Sequence, residues 1–197
     1  MSIHFLRRWP SIVVQRDVRL QGSGGDLFSK TFGTTQGGLV LDLVTDTGTA
    51  RFEGAAIGTV EELGREIVAR QQSLAGLNVT RKVFLPRTGY FARYLEIVSN
   101  PTAAPITVAV RVTSILPREG YDLIGTSSGD TVLDISNAAT RDRWVVFDDP
   151  AGAQHPMSAA FVFDGADGAE RVGTLLLEPN PDPSCFPFTI CSSRRLV

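Results

Sequence analysis

From Ile106 to Thr113 the chain alternates without a break, with Ile106, Val108, Val110 and Val112 on one side and Thr107, Ala109, Arg111 and Thr113 on the other. A period of two marks a half-buried β-strand. The preceding Asn100-Pro101-Thr102-Ala103-Ala104-Pro105 is a connection, because proline has no N–H to give to a ladder. Upstream, the run Asn78 to Pro86 places Val79, Val83 and Leu85 on one face, interrupted by Arg81, and Thr80, Lys82 and Phe84 on the other. A turn at Arg87-Thr88-Gly89 then leads into Tyr90 to Ser99, where Phe91, Arg93, Leu95 and Ile97 alternate against Ala92, Tyr94, Glu96 and Val98. The two runs predict a hairpin.

Shorter stretches rich in Val, Ile, Thr and Phe predict further strands at Ser11 to Val18, Leu39 to Thr45, Ala50 to Ile57, Thr131 to Ile135, Trp144 to Phe147, Ala159 to Phe163 and Arg171 to Leu177. Turn signals recur between them, among them Asp46-Thr47-Gly48, Asn100-Pro101, Ser128-Gly129-Asp130 and Asp149-Pro150-Ala151-Gly152. This rhythm predicts an all-β, antiparallel sandwich over residues 1–178. The one competitor is a helix from Val60 to Leu74, with Val60, Leu63, Ile67 and Leu74 at partial helical spacing and Glu61-Glu62 at the end where a helix dipole favours anions. Gly64 and the β-branched pair Ile67-Val68 tilt that stretch towards a strand from Arg65 to Gln71.

Residues 179–197 depart from the pattern. Pro179, Pro181, Pro183 and Pro187 crowd together, and the segment reads as a tail rather than a strand, either mobile or the product of an altered reading of the gene, with the sheet left unfinished. Both cysteines, Cys185 and Cys191, lie here, so the body of the fold is not stapled by disulfides. A local bridge and two free thiols are the alternatives.

The composition, 43% hydrophobic, is that of a chain able to bury a core. A net charge of −2 gives no global attraction to nucleic acid or to anionic lipid. Lys30 and Lys82 are the only lysines among nineteen basic residues, a skew expected from GC-rich coding. No apolar run reaches the ~20 residues of a membrane-spanning helix. The first ten residues, Met1 to Pro10, lack the apolar core of a signal peptide.

From about Leu77 to Leu177 the chain resembles a module of large secreted bacterial surface proteins, often found beside immunoglobulin-like repeats. The resemblance rests on Val79-Thr80-Arg81-Lys82-Val83-Phe84-Leu85-Pro86, Gly89-Tyr90-Phe91-Ala92-Arg93-Tyr94-Leu95-Glu96, Ser99-Asn100-Pro101, Ser127-Ser128-Gly129-Asp130, Asp142-Arg143-Trp144-Val145-Val146 and Phe161-Val162-Phe163-Asp164-Gly165. More distantly, the pattern is similar to the β-supersandwich of galactose mutarotase-like domains. The first resemblance implies an extracellular or cell-surface location, export within a longer precursor, and other domains of the same protein as partners. The second implies a carbohydrate-binding or polysaccharide-active domain. Both are analogies of fold.

For a polysaccharide ligand the candidate residues are Tyr121, Tyr94, Arg93 and Glu96. Glu96 is the best-placed carboxylate, but glycoside hydrolysis needs two carboxyl groups flanking one bond, and an Arg-paired structural role is the competing reading. Tyr121, in Gly120-Tyr121-Asp122, is the ring expected at the surface, and Trp144 is expected to pack as an anchor. Asp148 and Asp149, and again Asp164 and Asp167, offer hard oxygen ligands to Ca²⁺, though acidic turns also form without a metal. His4, in an N-terminus expected to fray, and His155 are too few for a zinc site or a triad. Gly125-Thr126-Ser127-Ser128-Gly129 matches the spacing of a nucleophile elbow at Ser127, but no helix is predicted after it. Arg81, Arg93 and Arg111 form either a basic stripe or, with Glu96, a cross-strand charge ladder. Asn78-Val79-Thr80 matches a glycosylation sequon. Exposed sheet edges predict self-association.

Overall fold

The computed structural model describes residues 2–5, 39–54, 58–84, 86–88, 91–117, 122–136, 141–148, 159–165, 174–177 and 185–196. Thirteen strands run in chain order as β1 (Ser2–Phe5), β2 (Leu39–Thr45), β3 (Gly48–Arg51), β4 (Thr59–Glu61), β5 (Glu66–Leu74), β6 (Leu77–Phe84), β7 (Phe91–Ser99), β8 (Ile106–Pro117), β9 (Asp122–Thr126), β10 (Trp144–Asp148), β11 (Ala159–Val162), β12 (Thr174–Leu177) and β13 (Cys185–Leu196). They form an eight-stranded sheet in the order β4-β5-β6-β7-β1-β11-β10-β9 and a five-stranded sheet in the order β12-β13-β8-β2-β3. Neighbouring strands pair antiparallel throughout. The all-β, antiparallel class predicted from the alternation is the class observed. Among the described residues no helix is long and apolar enough to cross a membrane.

Strict alternation sets the inner faces. In β6 Leu77, Val79, Arg81 and Val83 are buried and the residues between them are only half so. One apolar cluster joins the two sheets: Leu41, Leu43, Val108 and Val112 from the five-stranded sheet meet Leu77, Val79, Val83, Tyr94, Val145 and Phe161 from the eight-stranded one. Phe147 and Phe161 pack edge to face at 6.0 Å between centroids. Where the chain crosses from β3 to β4, the Gln71 side chain on β5 accepts from the backbone N–H of Glu53 (2.8 Å) and Gly54 (3.2 Å), tying one sheet to the other.

The β5–β6 connection is a two-residue hairpin in which Ala75 (φ 49°) and Gly76 (φ 80°) both turn left-handed, the geometry that matches the twist of the flanking strands. The stretch with competing strand and helix readings resolves as β4, a 3₁₀ turn at Glu62–Gly64, and β5. At that turn Glu62 (φ 50°), Leu63 (φ 57°) and Gly64 (φ 85°) are all left-handed, with Leu63 88% exposed.

Three expectations are corrected and one strand is added. Ser2–Phe5, expected to fray, form β1, paired with β7 on one side and β11 on the other. Thr131 to Ile135 is not a strand, because the side chains of Asp130 and Asp142 take backbone N–H groups of Val132 and Asp134 that a ladder would need. Asp122–Thr126, not foreseen, is a strand instead. The segment read as a tail contains β13, paired with β8 along its whole length from Cys185 opposite Pro117 to Leu196 opposite Ile106. Among the described residues β12 pairs with Phe188 to Cys191, and Pro187 lies opposite Ile115 of β8. Cys185 and Cys191 therefore lie six positions apart on one strand, about 20 Å at ~3.3 Å per residue. A bridge needs Cα atoms within about 7 Å, so the two do not pair within this fold. The predicted strand at Ser11 to Val18 lies outside the described residues.

Candidate functional site

The polar side chains concentrate in three places. The first is inside. Arg81 on β6 sits directly opposite Glu96 on β7, and only 1% of its side chain is exposed. Its Nε donates to Glu96 Oε1 at 2.8 Å and its Nη2 lies 2.7 Å from the same oxygen. The guanidinium also stands over the rings of Tyr94 (5.3 Å) and Phe52 (5.7 Å). Oε2 of Glu96 is buried and has no hydrogen-bond partner among the described residues.

The second is the outer face of β4 to β7. Lys82 Nζ lies 2.6 Å from Glu61 and 3.3 Å from Glu66, Arg70 contacts Glu61 at 3.3 Å, and Arg93 reaches Glu66 at 3.4 Å. The hydrogen bond from Lys82 holds the Glu61 carboxyl below its ordinary value, and the same bond raises the Lys82 ammonium. Phe84 lies between the guanidinium groups of Arg65 (5.3 Å) and Arg93 (5.0 Å).

The third is the loop between β9 and β10, organised around the fully buried Asp142. Its Oδ1 accepts from the Ser128 N–H (3.1 Å) and hydroxyl (3.0 Å), and its Oδ2 from the Asp134 N–H (2.8 Å). Burial pushes this carboxyl up, but donors from Asp134 and Ser128 outweigh it and hold the group below the usual aspartate range. Two stretches distant in the chain, Ser127 to Asp130 and Asp142 to Val146, are thereby brought together. Ser127 accepts from the Arg143 N–H at 2.8 Å, so its hydroxyl serves the loop, and no helix follows it as a nucleophile elbow requires.

The four sugar-site candidates do not share a face. Tyr94 is buried, 2% exposed, and Glu96 lies on the same inward face, whereas Arg93 points outward with 52% of its side chain exposed. Alternation along β7 enforces this split. Tyr121 lies outside the described residues, as do Asp149, Asp167 and His155. Asp148 is half-buried at the end of β10, opposite Asp122 of β9, and Asp164 is buried with its N–H bonded to the Arg143 carbonyl. Among the described residues no three or more His, Cys, Asp or Glu side chains come together as metal ligands.

The arginines do not form a stripe. Arg81 faces inward and Arg93 outward on the large sheet, while Arg111 belongs to the other sheet and bonds Asp42 at 2.9 Å. Of the ladder read from the sequence, in which all three arginines pair with Glu96, the structure shows the Arg81 member; Arg93 pairs with Glu66 and Arg111 with Asp42. Asp142 was missed; its signal is a lone acid placed just before the Trp144 strand and downstream of a Ser-Ser-Gly-Asp turn. Comparison of the chain with protein families, curated proteins and solved structures finds no match.

Proposed function

We propose that this chain is a non-enzymatic β-sheet module, a structural or adhesive part of a larger extracellular bacterial protein whose partners are other protein domains. The observation that supports this reading is the use made of the inward and half-buried acids. Glu96 is held by Arg81, Glu66 by Lys82 and Arg93, Asp42 by Arg51 and Arg111, and Asp142 by donors of its own loop. Acid chemistry placed this way fixes strands against one another and, among the described residues, sets these four acids against cations and backbone donors rather than in pairs flanking a substrate bond. The reading requires no cofactor. The resemblance to secreted modules supplies the location.

The test has two arms. Purified chain, shown by circular dichroism to be folded, is screened on a glycan array with Tyr121→Ala and Glu96→Gln as controls, and no specific binding is expected. Specific binding lost in either variant would replace this reading with the polysaccharide one. In the second arm, intact producing cells are treated with protease and probed with an antibody to the chain. The signal is expected to disappear; a signal that survives until the cells are lysed overturns the extracellular assignment.

A further inference from the structure

The turn that joins β4 to β5 is strained and presented to solvent. Between the paired Glu61 and Glu66, the residues Glu62 (φ 50°), Leu63 (φ 57°) and Gly64 (φ 85°) turn left-handed in succession. Glycine adopts that backbone at no steric cost; glutamate and leucine do not, because their Cβ crowds the following carbonyl. Packing does not offset the strain at Leu63, which is 88% exposed, the highest value for a large hydrophobic residue among those described. Strain held at an exposed apolar residue points to use rather than to stability.

The strand before the turn is held lightly. Among the described residues β4 stands at the edge of the large sheet and pairs with β5 through Thr59, Val60 and Glu61. It contains no buried residue, and Val60 is 63% exposed. Its side-chain ties are Glu61 to Lys82 and Arg70, and the Thr59 hydroxyl to the Arg70 guanidinium at 2.8 Å. Ion pairs on a half-exposed carboxylate such as Glu61 add little. β5, by contrast, buries Glu66, Val68 and Ala69 and continues into the long β6 ladder. Opening from Thr59 to Arg65 therefore breaks three strand pairs and leaves the β5–β6–β7 ladder closed, which is the kind of local opening that precedes global unfolding.

We propose that the Leu63–Gly64 bond is a site of limited proteolysis, cut by an endopeptidase whose primary pocket takes a large apolar side chain. Exposed loop tips are where proteolytic nicking concentrates. A peptidase takes its substrate as an extended segment, so the turn must open, and both the left-handed strain and the light hold on β4 lower the cost of opening. Leu63 is the side chain that fills the pocket. Water adds to the Leu63 carbonyl carbon, the bond to the Gly64 nitrogen breaks, and that nitrogen takes a proton and leaves as the amine, with Leu63 ending as a carboxylate. Glu62 and Leu63 then relax at a free end, so rejoining is disfavoured. The two pieces stay together, because residues 1–63 supply β1, held between β7 and β11, and β2, paired with β8, along with Leu41, Leu43 and Phe52 of the core. The product is a nicked module of two chains with new termini at the β4–β5 turn. This site follows from the turn itself and is independent of the partners proposed above.

The purified full chain is treated with dilute chymotrypsin, which cuts after large apolar and aromatic residues, and the products are read by intact mass, terminal sequencing and size exclusion. Within the described residues the first bond cut is expected to be Leu63–Gly64. The two pieces are expected to elute together at the size of the uncut chain, with its circular dichroism retained. Leu63→Asp is expected to lose this cut and Leu63→Phe to keep it, and urea unfolding of both variants shows that each is folded. A first cut at another described bond overturns the proposal, as does equal cutting of Leu63→Asp. So does a cut at Leu63 that appears only together with general degradation, since the bond is then reached by global rather than local unfolding. The second readout is the chain recovered from producing cells, where a new N-terminus reading Gly64-Arg65-Glu66-Ile67 is expected. Recovery of the uncut bond alone overturns its assignment as a processing site.

Discussion

Removing the Arg81 side chain alone, as in Arg81→Met, leaves the carboxylate of Glu96 inside the protein without its cation. Arg81 is 1% exposed and Glu96 13%, so water does not step in as it would at a surface pair. Breaking one half of a buried pair costs about 3–5 kcal/mol, and loss of the guanidinium from the Tyr94 and Phe52 rings adds to it. Replacing both partners, as in Arg81→Met with Glu96→Met, removes the stranded charge, and the double variant is expected within about 1–2 kcal/mol of the parent. Glu96→Met alone also breaks the pair, at a similar cost of about 3–5 kcal/mol, so the coupling energy, the two single losses less that of the double, is about 4 kcal/mol or more. Urea unfolding followed by circular dichroism at neutral pH measures it, with the single variant's midpoint falling by about 1–2 M. A single variant that loses less than about 1 kcal/mol, or a double variant as unstable as the sum of its parts, refutes the claim that these two residues act as one buried unit.

Asp142→Ala orphans the backbone N–H groups of Ser128 and Asp134 and is expected to cost about 2 kcal/mol or more in the same unfolding assay. Because the folded Asp142 carboxyl lies below its unfolded value, its contribution is fully present above the ordinary aspartate range and is lost as pH falls through the lowered folded value; Asp142→Asn flattens that acid limb, and an unchanged limb counts against the assignment. Leu63→Asn relieves a left-handed leucine whose side chain is 88% exposed, and is expected to raise stability by about 0.5–1 kcal/mol, whereas a fall would show that Leu63 is held by a contact. Alkylation after denaturation without reductant is expected to place two adducts on each chain by intact mass, one on Cys185 and one on Cys191; none on either would mean the pair is bridged and β13 misread.

Strands whose two faces differ sharply were legible in the sequence. β2 matches its predicted bounds, β6 and β7 were found with their alternation, and Arg81 was read as interrupting an apolar face, with Glu96 offered as a partner to it, to Arg93 and to Arg111 alike. β13 was not legible because its alternation of Phe186, Phe188 and Ile190 is interrupted by Pro187, in a segment crowded with further prolines. Thr131 to Ile135 failed for the opposite reason: its β-branched composition is overridden by carboxylates that compete for its backbone. The strand period divides the sugar-site candidates of β7, since Arg93 is one residue from Tyr94 and three from Glu96, and so points the other way from both.

Both sheets carry an ion pair at a position that fixes register. In the large sheet Arg81 faces Glu96; in the small one Asp42, on β2, faces Arg51 of β3 on one side and Arg111 of β8 on the other, one oxygen to each. A slip of one residue would turn whole apolar faces outward and is excluded by burial alone. A slip of two keeps every face inward, so hydrophobic pattern does not oppose it. The charges do: shifted by two, Arg81 meets Tyr94 or Val98, Glu96 meets Val79 or Val83, and Asp42 meets Ala109 or Thr113 on the β8 side. A slip in the large sheet strands Arg81, 1% exposed, and Glu96, 13%, and one between β2 and β8 takes Arg111 from Asp42, 3% exposed, a cost of several kcal/mol for the alternative and none for the native pairing. Buried charge in this chain therefore acts mainly against wrong registers.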